Sequence, residues 1–289
     1  MERCIVICSK PGQLGNRLIV FAHFVAFAAE KGTVIINPSF DEYASWFEET
    51  QGSLWCKFPQ PINRSKKQVP FILRSILYQT VLIITKALKR LNFFNSWIQV
   101  KYLEWDEAFD VTQLADIQTK ILIVQGWLYR CPSLIKKHGN LIRSFFRPTP
   151  NFLDVVDNFL RIHQAEVLVG VHIRHGDYKT YLSGKYFYEI ELYHEKMKEI
   201  KTFFPGRSVR FCVCSNTPIN VARFFDLDCV NGPGHIVEDL IVLTRCNYIL
   251  GPPSTFTIWA SFYGSVPLYQ MEDINRKIEF SDFIVYEEL

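Results

Sequence analysis

The stretch Val169-Gly170-Val171-His172-Ile173-Arg174-His175-Gly176-Asp177-Tyr178 decides the fold of this chain of 289 residues. An apolar, β-branched run leads directly into two histidines, an arginine and an aspartate. This order is typical of a buried parallel strand whose carboxyl end meets a ligand in an open α/β sheet. Because side chains alternate along a strand, His172 and Arg174 share one face and His175 lies on the other.

Two roles for Arg174 follow from this position. Its guanidinium offers a permanent charge and a planar fork of donors that suits phosphate oxygens. Alternatively, Arg174 pairs with Asp177 only to close the turn. An ion pair alone would not explain why His172 shares the face of Arg174. The stretch therefore favours a site for an anionic ligand.

Short β-branched runs recur on both sides of this stretch with helical segments between them, which predicts an α/β fold with mostly parallel sheets. Residues Arg147-Pro148-Thr149-Pro150 break any helix near the midpoint and predict two domains, 1–148 and 149–289. The predicted strands are Cys4–Cys8, Val34–Ile36, Ile121–Gln125, Val167–Ile173, Val209–Cys214, Tyr248–Leu250 and Val266–Tyr269, and the predicted helices are Arg17–Glu30, Ser133–Phe146, Asn151–His163, Phe187–Phe203 and Val237–Cys246.

The composition is that of a globular protein without bulk affinity for nucleic acid. Hydrophobic residues make up 48% of the chain and charged residues 21%, and the net charge is only +3, too small for binding by overall electrostatics. The eight cysteines have no zinc-site spacing, and the apolar run at the start is too short for a signal peptide. We therefore expect free thiols, no metal and a cytoplasmic location. Aromatic residues reach 15%, which indicates a bulky core, flat surfaces for ligands, or both.

The most apolar helical stretch runs from Pro70 to Leu91. The uncharged interval between Arg74 and Lys86 has eleven residues, well short of the roughly 20 needed to cross a bilayer. Basic residues flank it on both sides within 64–91, as in helices that lie on anionic membranes. Two interpretations stay open: an amphipathic helix packed on its own domain, and a peripheral contact with a membrane surface.

Two further segments have the residues to bind an anion. Gly12-Gln13-Leu14-Gly15-Asn16 links the first predicted strand to a helix, so its amides can approach a ligand or simply form a tight turn. It lacks the spacing of dinucleotide and Walker-type loops. Farther along, Glu238 and Asp239 open a predicted helix, where carboxylates either cap the helix or accept hydrogen bonds from a purine edge. Ser254 and Thr255 open the next helix and can donate to phosphate.

In this order, the three segments resemble the alpha-1,2-fucosyltransferase family, glycosyltransferase family 11, and its relatives among the alpha-1,6- and protein O-fucosyltransferases. The matching residues are Gly12–Asn16, His172–Tyr178, Glu238-Asp239-Leu240 and Ser254-Thr255-Phe256. The resemblance implies a GT-B architecture of two facing Rossmann-like domains. It also implies inverting, metal-independent transfer of fucose from GDP-fucose to a glycan, at the 2-hydroxyl of galactose, with no cofactor besides the donor.

By the same resemblance, Arg174 would hold the donor β-phosphate, while His172 and Asp239 would read guanine. Arg174 and Asp177 are the predicted catalytic residues, because a fixed guanidinium stabilises the charge that develops on the leaving phosphate. The implied donor-binding residues are Gly15 and Asn16 in the N-terminal, acceptor-side domain and His172, Arg174, Asp239, Ser254, Thr255 and Phe256 in the C-terminal, donor-binding domain, where Ser254 and Thr255 would hold the phosphates.

One position departs from the family, which usually has a second arginine where this chain has His175. A histidine is charged only part of the time near neutral pH, so donor binding would be weaker or pH-dependent if His175 faces phosphate. Strand alternation points His175 elsewhere. The departure keeps two alternatives open: a GT-B transferase that uses another nucleotide sugar, and a protein that binds nucleotide sugars or glycans without catalysis.

The general base and the acceptor site are less specified. Asp177 and His23 are candidate bases, although Asp177 can instead orient Arg174 and a histidine inside a helix is more often packed in the core. Sugar rings would stack on exposed aromatic side chains of the first domain, whereas most such side chains belong to cores. The candidates for this stacking surface are Trp46, Phe47, Trp55, Trp105 and Trp127.

Overall fold

The computed structural model describes residues 3–60, 67–91 and 97–289. Its contacts divide the chain into two units, Met1–Thr149 with Glu288–Leu289, and Pro150–Glu287. This division lies one residue from the predicted break, and it groups the last two residues with the first unit rather than the second. The second unit opens with a helix whose first residue is Pro150, a position where proline is well tolerated because no helical N–H is needed there.

The first unit is built on a four-stranded parallel sheet in the order β2-β1-β5-β3. Its central strands are β-branched and buried, as expected for strands covered on both faces. A separate parallel pair joins β4 to β6. The elements are β1 (Cys4–Ile7), α1 (Leu14–Lys31), β2 (Val34–Ile36), α2 (Glu48–Gln51), α3 (Phe71–Arg90), β3 (Ile98–Tyr102), β4 (Phe109–Asp110), β5 (Ile121–Gln125), β6 (Tyr129–Arg130), α4 (Pro132–Lys137) and α5 (Gly139–Phe145).

The second unit is built on a five-stranded parallel sheet in the order β11-β10-β7-β8-β9. The seven residues of its central strand β7 are all buried. The elements are α6 (Pro150–Ile162), β7 (Val167–Ile173), α7 (Ile190–Lys201), β8 (Val209–Ser215), β9 (Asp228–Asn231), α8 (Ile236–Leu243), β10 (Tyr248–Gly251), α9 (Thr255–Gly264) and β11 (Leu268–Gln270). The predicted α/β class with mostly parallel sheets is confirmed.

The strands that sequence analysis missed are short or half-exposed. Strand β3 reads Ile-Gln-Val-Lys-Tyr and is only partly buried, because it forms an edge of its sheet. Strand β9 is likewise an edge strand. The single helix predicted over Ser133–Phe146 is two helices, since α4 ends at Lys137 and α5 begins at Gly139. Polar, half-exposed strands carry a weaker pattern than buried ones.

Most aromatic residues of the first unit belong to its core. The ring of Phe21 on α1 lies 5.4 Å from each of the rings of Phe40, Phe145 and Phe146. These contacts are edge-to-face, the geometry that aromatic quadrupoles prefer. Phe47, one of the candidates for sugar stacking, is 2% exposed and is therefore a core residue.

Helix α3 packs one face on the sheet of the first unit. Tyr78 lies in a cluster with Val6, Cys8 and Ile123, and the buried Arg74 donates hydrogen bonds to backbone carbonyls, including that of Thr50 at 3.0 Å. By length and composition alone α3 could span a membrane, yet only 17% of its most apolar window is buried in the protein. The helix therefore packs on its own unit, as one interpretation predicts, while its other face is exposed.

Candidate active site

The strand order of the second unit reverses between β7 and β10. The chain runs from β7 outward to β8 and β9, and then returns to β10 on the other side of β7. The carboxyl ends of β7 and β10 therefore flank the point where the strand order reverses, which is where open α/β sheets bind ligands. His172 and Arg174 lie at the end of β7, and Ser254 follows β10.

His172 is a buried residue with one unpaired ring nitrogen within the described residues. Its side chain is packed against Phe256, with 4.9 Å between the ring centres, and the residue is 4% exposed. Burial, helped by the positive charge of Arg174, lowers the pKa of His172 to about 3. The imidazole is therefore neutral near pH 7. Its buried Nδ1 has no hydrogen-bond partner within the described residues, and buried polar atoms left open in this way call for a ligand or water.

Arg174 forms the ion pair that was one of its two predicted roles. A guanidinium N–H donates to Asp177 Oδ2 at 2.8 Å, and the group lies 5.4 Å from the centre of the Tyr178 ring. One bond to Asp177 leaves the fork able to donate from its other N–H groups. Asp177 is exposed, and its contact with Arg174 fixes one side of the guanidinium.

His175 points away from the face of Arg174, as strand alternation predicts. Its ring packs on Phe187 with 4.7 Å between centres, and its Nε2 lies 2.9 Å from the carbonyl oxygen of Tyr188. The imidazole thus anchors the turn after β7 to the segment before α7. This position agrees with strand alternation, which points His175 away from the side chain of Arg174.

Asp239 is a buried carboxylate on α8. It is 5% exposed, and its Oδ1 accepts a hydrogen bond from the Gly234 amide at 3.0 Å. Burial raises the pKa of Asp239 to about 6, although the Gly234 bond opposes the shift. The role of helix cap that sequence analysis left open belongs instead to His235, whose ring nitrogen accepts from the Val237 amide.

The helices α8 and α9 bring Asp239 and Phe256 to the face of the sheet that His172 occupies. Cys214 pairs in register with His172 on the neighbouring strand, so the two side chains point the same way. The Cys214 thiol lies 3.9 Å from the backbone carbonyl of Asp239, and Phe256 packs on the His172 ring. One side of the switch point therefore carries an imidazole, a carboxylate and an aromatic ring.

Ser254 and Thr255 form the start of α9, as predicted. The Ser254 hydroxyl caps the helix by accepting from the Phe256 amide at 3.2 Å, and Thr255 is the first helical residue. The positive end of the helix dipole at this edge favours an anion.

Two residues without a predicted role hold the site together. The Tyr178 hydroxyl donates to the Pro253 carbonyl at 2.9 Å, which ties the turn of Arg174 to the turn before Ser254. Asn216, at the end of β8, bonds both the amide and the carbonyl of His175, at 2.9 and 3.1 Å. A signal for Asn216 exists in the sequence, because it follows a predicted strand at the same edge of the sheet.

Gly15 and Asn16 lie in the first turn of α1 rather than in a loop, because the helix begins at Leu14 instead of the predicted Arg17. The turn itself spans the residues after β1 and depends on Gly12, whose φ of +49° favours glycine. The side-chain amide of Asn16 lies so close to Gly12 that a Cβ there would be 2.2 Å from it. This turn also lies at a switch point, between β1 and β5 in the first unit.

His23 is a core residue and not a general base. It is fully buried, its Nδ1 accepts from the Cys131 amide at 3.0 Å, and burial lowers its pKa to about 3. Such a group sits within α1 out of contact with solvent.

An Asp-x-Asp spacing of the kind found in metal-dependent transferases occurs at Asp226 and Asp228. Both carboxylates are ion-paired. Asp226 contacts His194 and Lys198, the latter at 3.2 Å, while Asp228 contacts Arg210 at 2.9 Å. Asp228 begins β9, so this pair lies at the amino edge of the parallel sheet, opposite the edge that holds Arg174.

A comparison with known protein families agrees with the resemblance that the three sequence segments carry. The model of glycosyl transferase family 11 matches residues 33–269. The chain belongs to this family. No curated protein sequence gives a significant match, so the family assignment rests on the match to the family model.

Solved fucosyltransferases share the fold of this family 11 protein. A mutant of Arabidopsis thaliana FUT1 in complex with GDP matches with a TM-score of 0.62 at 14% identity, over 95% of this chain and 72% of that one. Fucosyltransferase NodZ from Bradyrhizobium matches with a TM-score of 0.55 at 17% identity, over 94% of this chain and 96% of that one. POFUT1 in complex with GDP-fucose matches with a TM-score of 0.52 at 11% identity, over 91% of this chain and 94% of that one. The predicted resemblance and the GT-B fold class are confirmed.

Proposed function

We propose that this family 11 protein transfers fucose from GDP-fucose to a hydroxyl of a glycan, the 2-hydroxyl of a galactose residue in our expectation. The observation that carries the proposal is the gathering of His172, Arg174 and Asp239 at the switch point of the second unit. Solved proteins of the same fold form complexes with GDP or GDP-fucose, which supports the choice of nucleotide.

The nucleotide would be recognised by the buried polar groups on the face of β7. The Asp239 carboxylate suits the N–H donors on the edge of guanine, and the open nitrogen of His172 can accept or donate one further bond. Both groups are already desolvated in the protein, so a base that lacks the matching groups would leave them unpaired at a cost in affinity. This pairing favours guanine over a pyrimidine.

The chemistry would be a direct displacement at the anomeric carbon. The acceptor oxygen forms the new bond to C1 of fucose while the bond from C1 to the β-phosphate oxygen breaks, and the acceptor hydroxyl loses its proton. Negative charge grows on the departing GDP, and Arg174 is placed to stabilise it together with the start of α9. Asp177 acts as a positioning residue for Arg174, and the overall transfer releases the proton of the acceptor hydroxyl to water.

Turnover of a donor panel tests the proposal. Release of nucleoside diphosphate would be measured from GDP-fucose, GDP-mannose and UDP-galactose, with and without galactosides such as lactose. We expect release from GDP-fucose that the galactoside stimulates. Turnover with only another donor would point to a different transferase of the same fold, and binding without turnover of any donor would point to a non-catalytic protein.

A further inference from the structure

The outer face of α3 is an exposed apolar stripe. Ile72, Ile76 and Ile83 are 68%, 58% and 66% exposed, and their spacing of four and seven residues places them on one line along the helix. They lie opposite Tyr78 and Thr85, which are buried against the sheet. The stripe is therefore not the inner face of a core helix, and within the described residues nothing covers it.

The chain around this stripe carries positive charge alone. Residues 50–103 contain nine of the 32 lysines and arginines and none of the 29 aspartates and glutamates, so the rest of the chain is net negative. Lys86, Lys89 and Arg90 are exposed on the last turns of α3, and Lys67 is exposed just before it. Arg64 and Lys66 lie outside the described residues.

The inner contacts of α3 show how the helix is held. The guanidinium of Arg74 donates to the backbone carbonyls of Thr50, Gln51 and Ser53, and Thr85 contacts Cys8 at the end of β1. A helix fixed to its sheet by buried polar contacts lies along the surface of the unit. Insertion across a bilayer would require those contacts to break and would bury Arg74 in hydrocarbon.

We infer that the stripe of Ile72, Ile76 and Ile83, with the basic residues beside it, docks the protein on the surface of a bilayer that contains anionic lipids. An apolar stripe bordered by lysine and arginine is the pattern of helices that lie in the headgroup region. A second copy of this chain is the less suitable occupant, because a symmetric contact would bring together two copies of residues 50–103, a stretch with nine basic residues and no acidic one. This inference does not depend on the donor or acceptor.

Co-sedimentation of the full chain with vesicles tests the inference. Vesicles of phosphatidylcholine alone would be compared with vesicles that contain phosphatidylglycerol. We expect binding to the anionic vesicles, weak binding to the neutral ones, and release at 1 M NaCl, where the screening length falls to about 3 Å. Equal binding to both compositions, or no binding to either, would overturn the inference.

Two variants and their matched controls locate the contact. We expect Ile72→Ser with Ile83→Ser to weaken binding by at least about tenfold, and Lys86→Gln with Lys89→Gln by about fivefold per charge. The controls are Ile162→Ser with Phe225→Ser, and Lys136→Gln with Lys277→Gln, which alter exposed residues far along the chain and should bind like the wild type.

The same variants separate lipid binding from misfolding and self-association. All of the substituted side chains are exposed, so the thermal unfolding midpoint without vesicles should not change. Analytical ultracentrifugation of the wild type would be run in parallel. A dimer that Ile72→Ser with Ile83→Ser dissociates would assign the stripe to a second copy and overturn the inference, as would unchanged vesicle binding by that variant.

Discussion

In both units the sequence motifs lie at the point where the strand order of the sheet reverses. The polar groups near that point have different partners in the two units. In the first unit, Lys10 pairs with Asp41 at 2.6 Å, and Arg17 pairs with Glu42 at 3.2 Å, so the charges near the turn after β1 neutralise one another. In the second unit, the buried His172 keeps an open ring nitrogen. The first unit also contains buried polar atoms without a hydrogen-bond partner within the described residues, among them His23 Nε2 and Arg17 Nε. The contrast between the two units therefore lies in the ion pairs of Lys10 and Arg17, which neutralise the charges near the turn after β1.

The same difference appears in the turns themselves. In the first unit the Ser9 hydroxyl donates to the Gly126 carbonyl at 2.8 Å, and the Gln125 amide donates to the Cys8 carbonyl at 3.1 Å, so β1 and β5 are joined at their carboxyl ends. In the second unit the Tyr178 hydroxyl joins the two turns, since it donates to the Pro253 carbonyl and also contacts the Ser254 side chain. Polar groups that are not used within the protein are available to a ligand.

We expect the largest effect on activity from Arg174→Lys, which changes the charged group at the switch point of the second unit. Lysine keeps the charge and loses the planar fork, so we expect kcat/KM for GDP-fucose to fall by about 100-fold. Lys179→Gln, on the exposed turn beside the site, is the control and should retain wild-type activity. Full activity of Arg174→Lys would show that this guanidinium does not contact the donor in the transition state.

Asp239→Asn should weaken GDP binding and stabilise the free protein. Loss of a charged acceptor costs about 1.5–3 kcal/mol of binding, and in the wild type GDP affinity should decline below pH 6 as Asp239 takes up a proton. The folded pKa near 6 lies above the ordinary value of 3.8, so the native state loses stability as pH rises from 4 to 6, by about 3 kcal/mol at most.

Chemical denaturation at pH 4 and pH 7 checks this pair of effects. The asparagine variant should be more stable than the wild type at pH 7 and equal to it at pH 4, where the carboxyl is largely protonated in the folded state. A variant that is less stable at both pH values, with unchanged GDP affinity, would show that Asp239 serves the fold alone.

We expect Trp105→Ala to weaken binding of the acceptor without changing binding of the donor, which would assign acceptor binding to the first unit. Trp105 is 63% exposed, and its ring lies 5.3 Å from that of Trp127. Both follow strands at the carboxyl edge, as an acceptor platform would require. We expect the KM for a galactoside to rise about tenfold, equivalent to about 1.4 kcal/mol, with the KM for GDP-fucose unchanged.

The matched control is Trp97→Ala, since Trp97 is similarly exposed at 57% but precedes β3 at the opposite edge. Equal effects of the two substitutions, or a change in the KM of the donor, would remove Trp105 from the acceptor site.

The smallest effect on binding should come from His175→Ala. Its ring is engaged with Phe187 and the Tyr188 carbonyl, so we expect about 1 kcal/mol less stability and GDP affinity within about twofold of the wild type. Calorimetric titration of the folded variant checks this. A loss of GDP affinity as large as that expected for the Arg174 variant would show that His175 contacts phosphate.

The sequence predicts the strands that are buried on both faces, since a continuous β-branched run such as Val167–Ile173 is typical of a strand inside a parallel sheet. It also predicts the ligand edge, because Arg174 and Ser254 directly follow such runs. Tyr178 and Asn216 could not be assigned roles in advance, because their hydrogen bonds join turns that are far apart in the chain. The pairing of Lys10 with Asp41 depends on tertiary structure in the same way.

The exposed face of α3 could not be predicted from the sequence either. Apolar periodicity shows that a helix has an apolar face, but in Phe71–Arg90 apolar residues occur on several sides of the helix, so the pattern does not reveal which side packs on the protein. Arg74 settles the orientation in the structure, since its contacts with Thr50 and Ser53 fix the inner side.

Calorimetric titration of GDP into the wild type and into Arg174→Ala tests the central claim most directly. We predict one site per chain in the wild type and an affinity lower by about 100-fold or more in the variant, with the same thermal unfolding midpoint. Absence of GDP binding by the wild type, or equal affinity in the two proteins, would contradict the assignment of the second unit's switch point as the donor site.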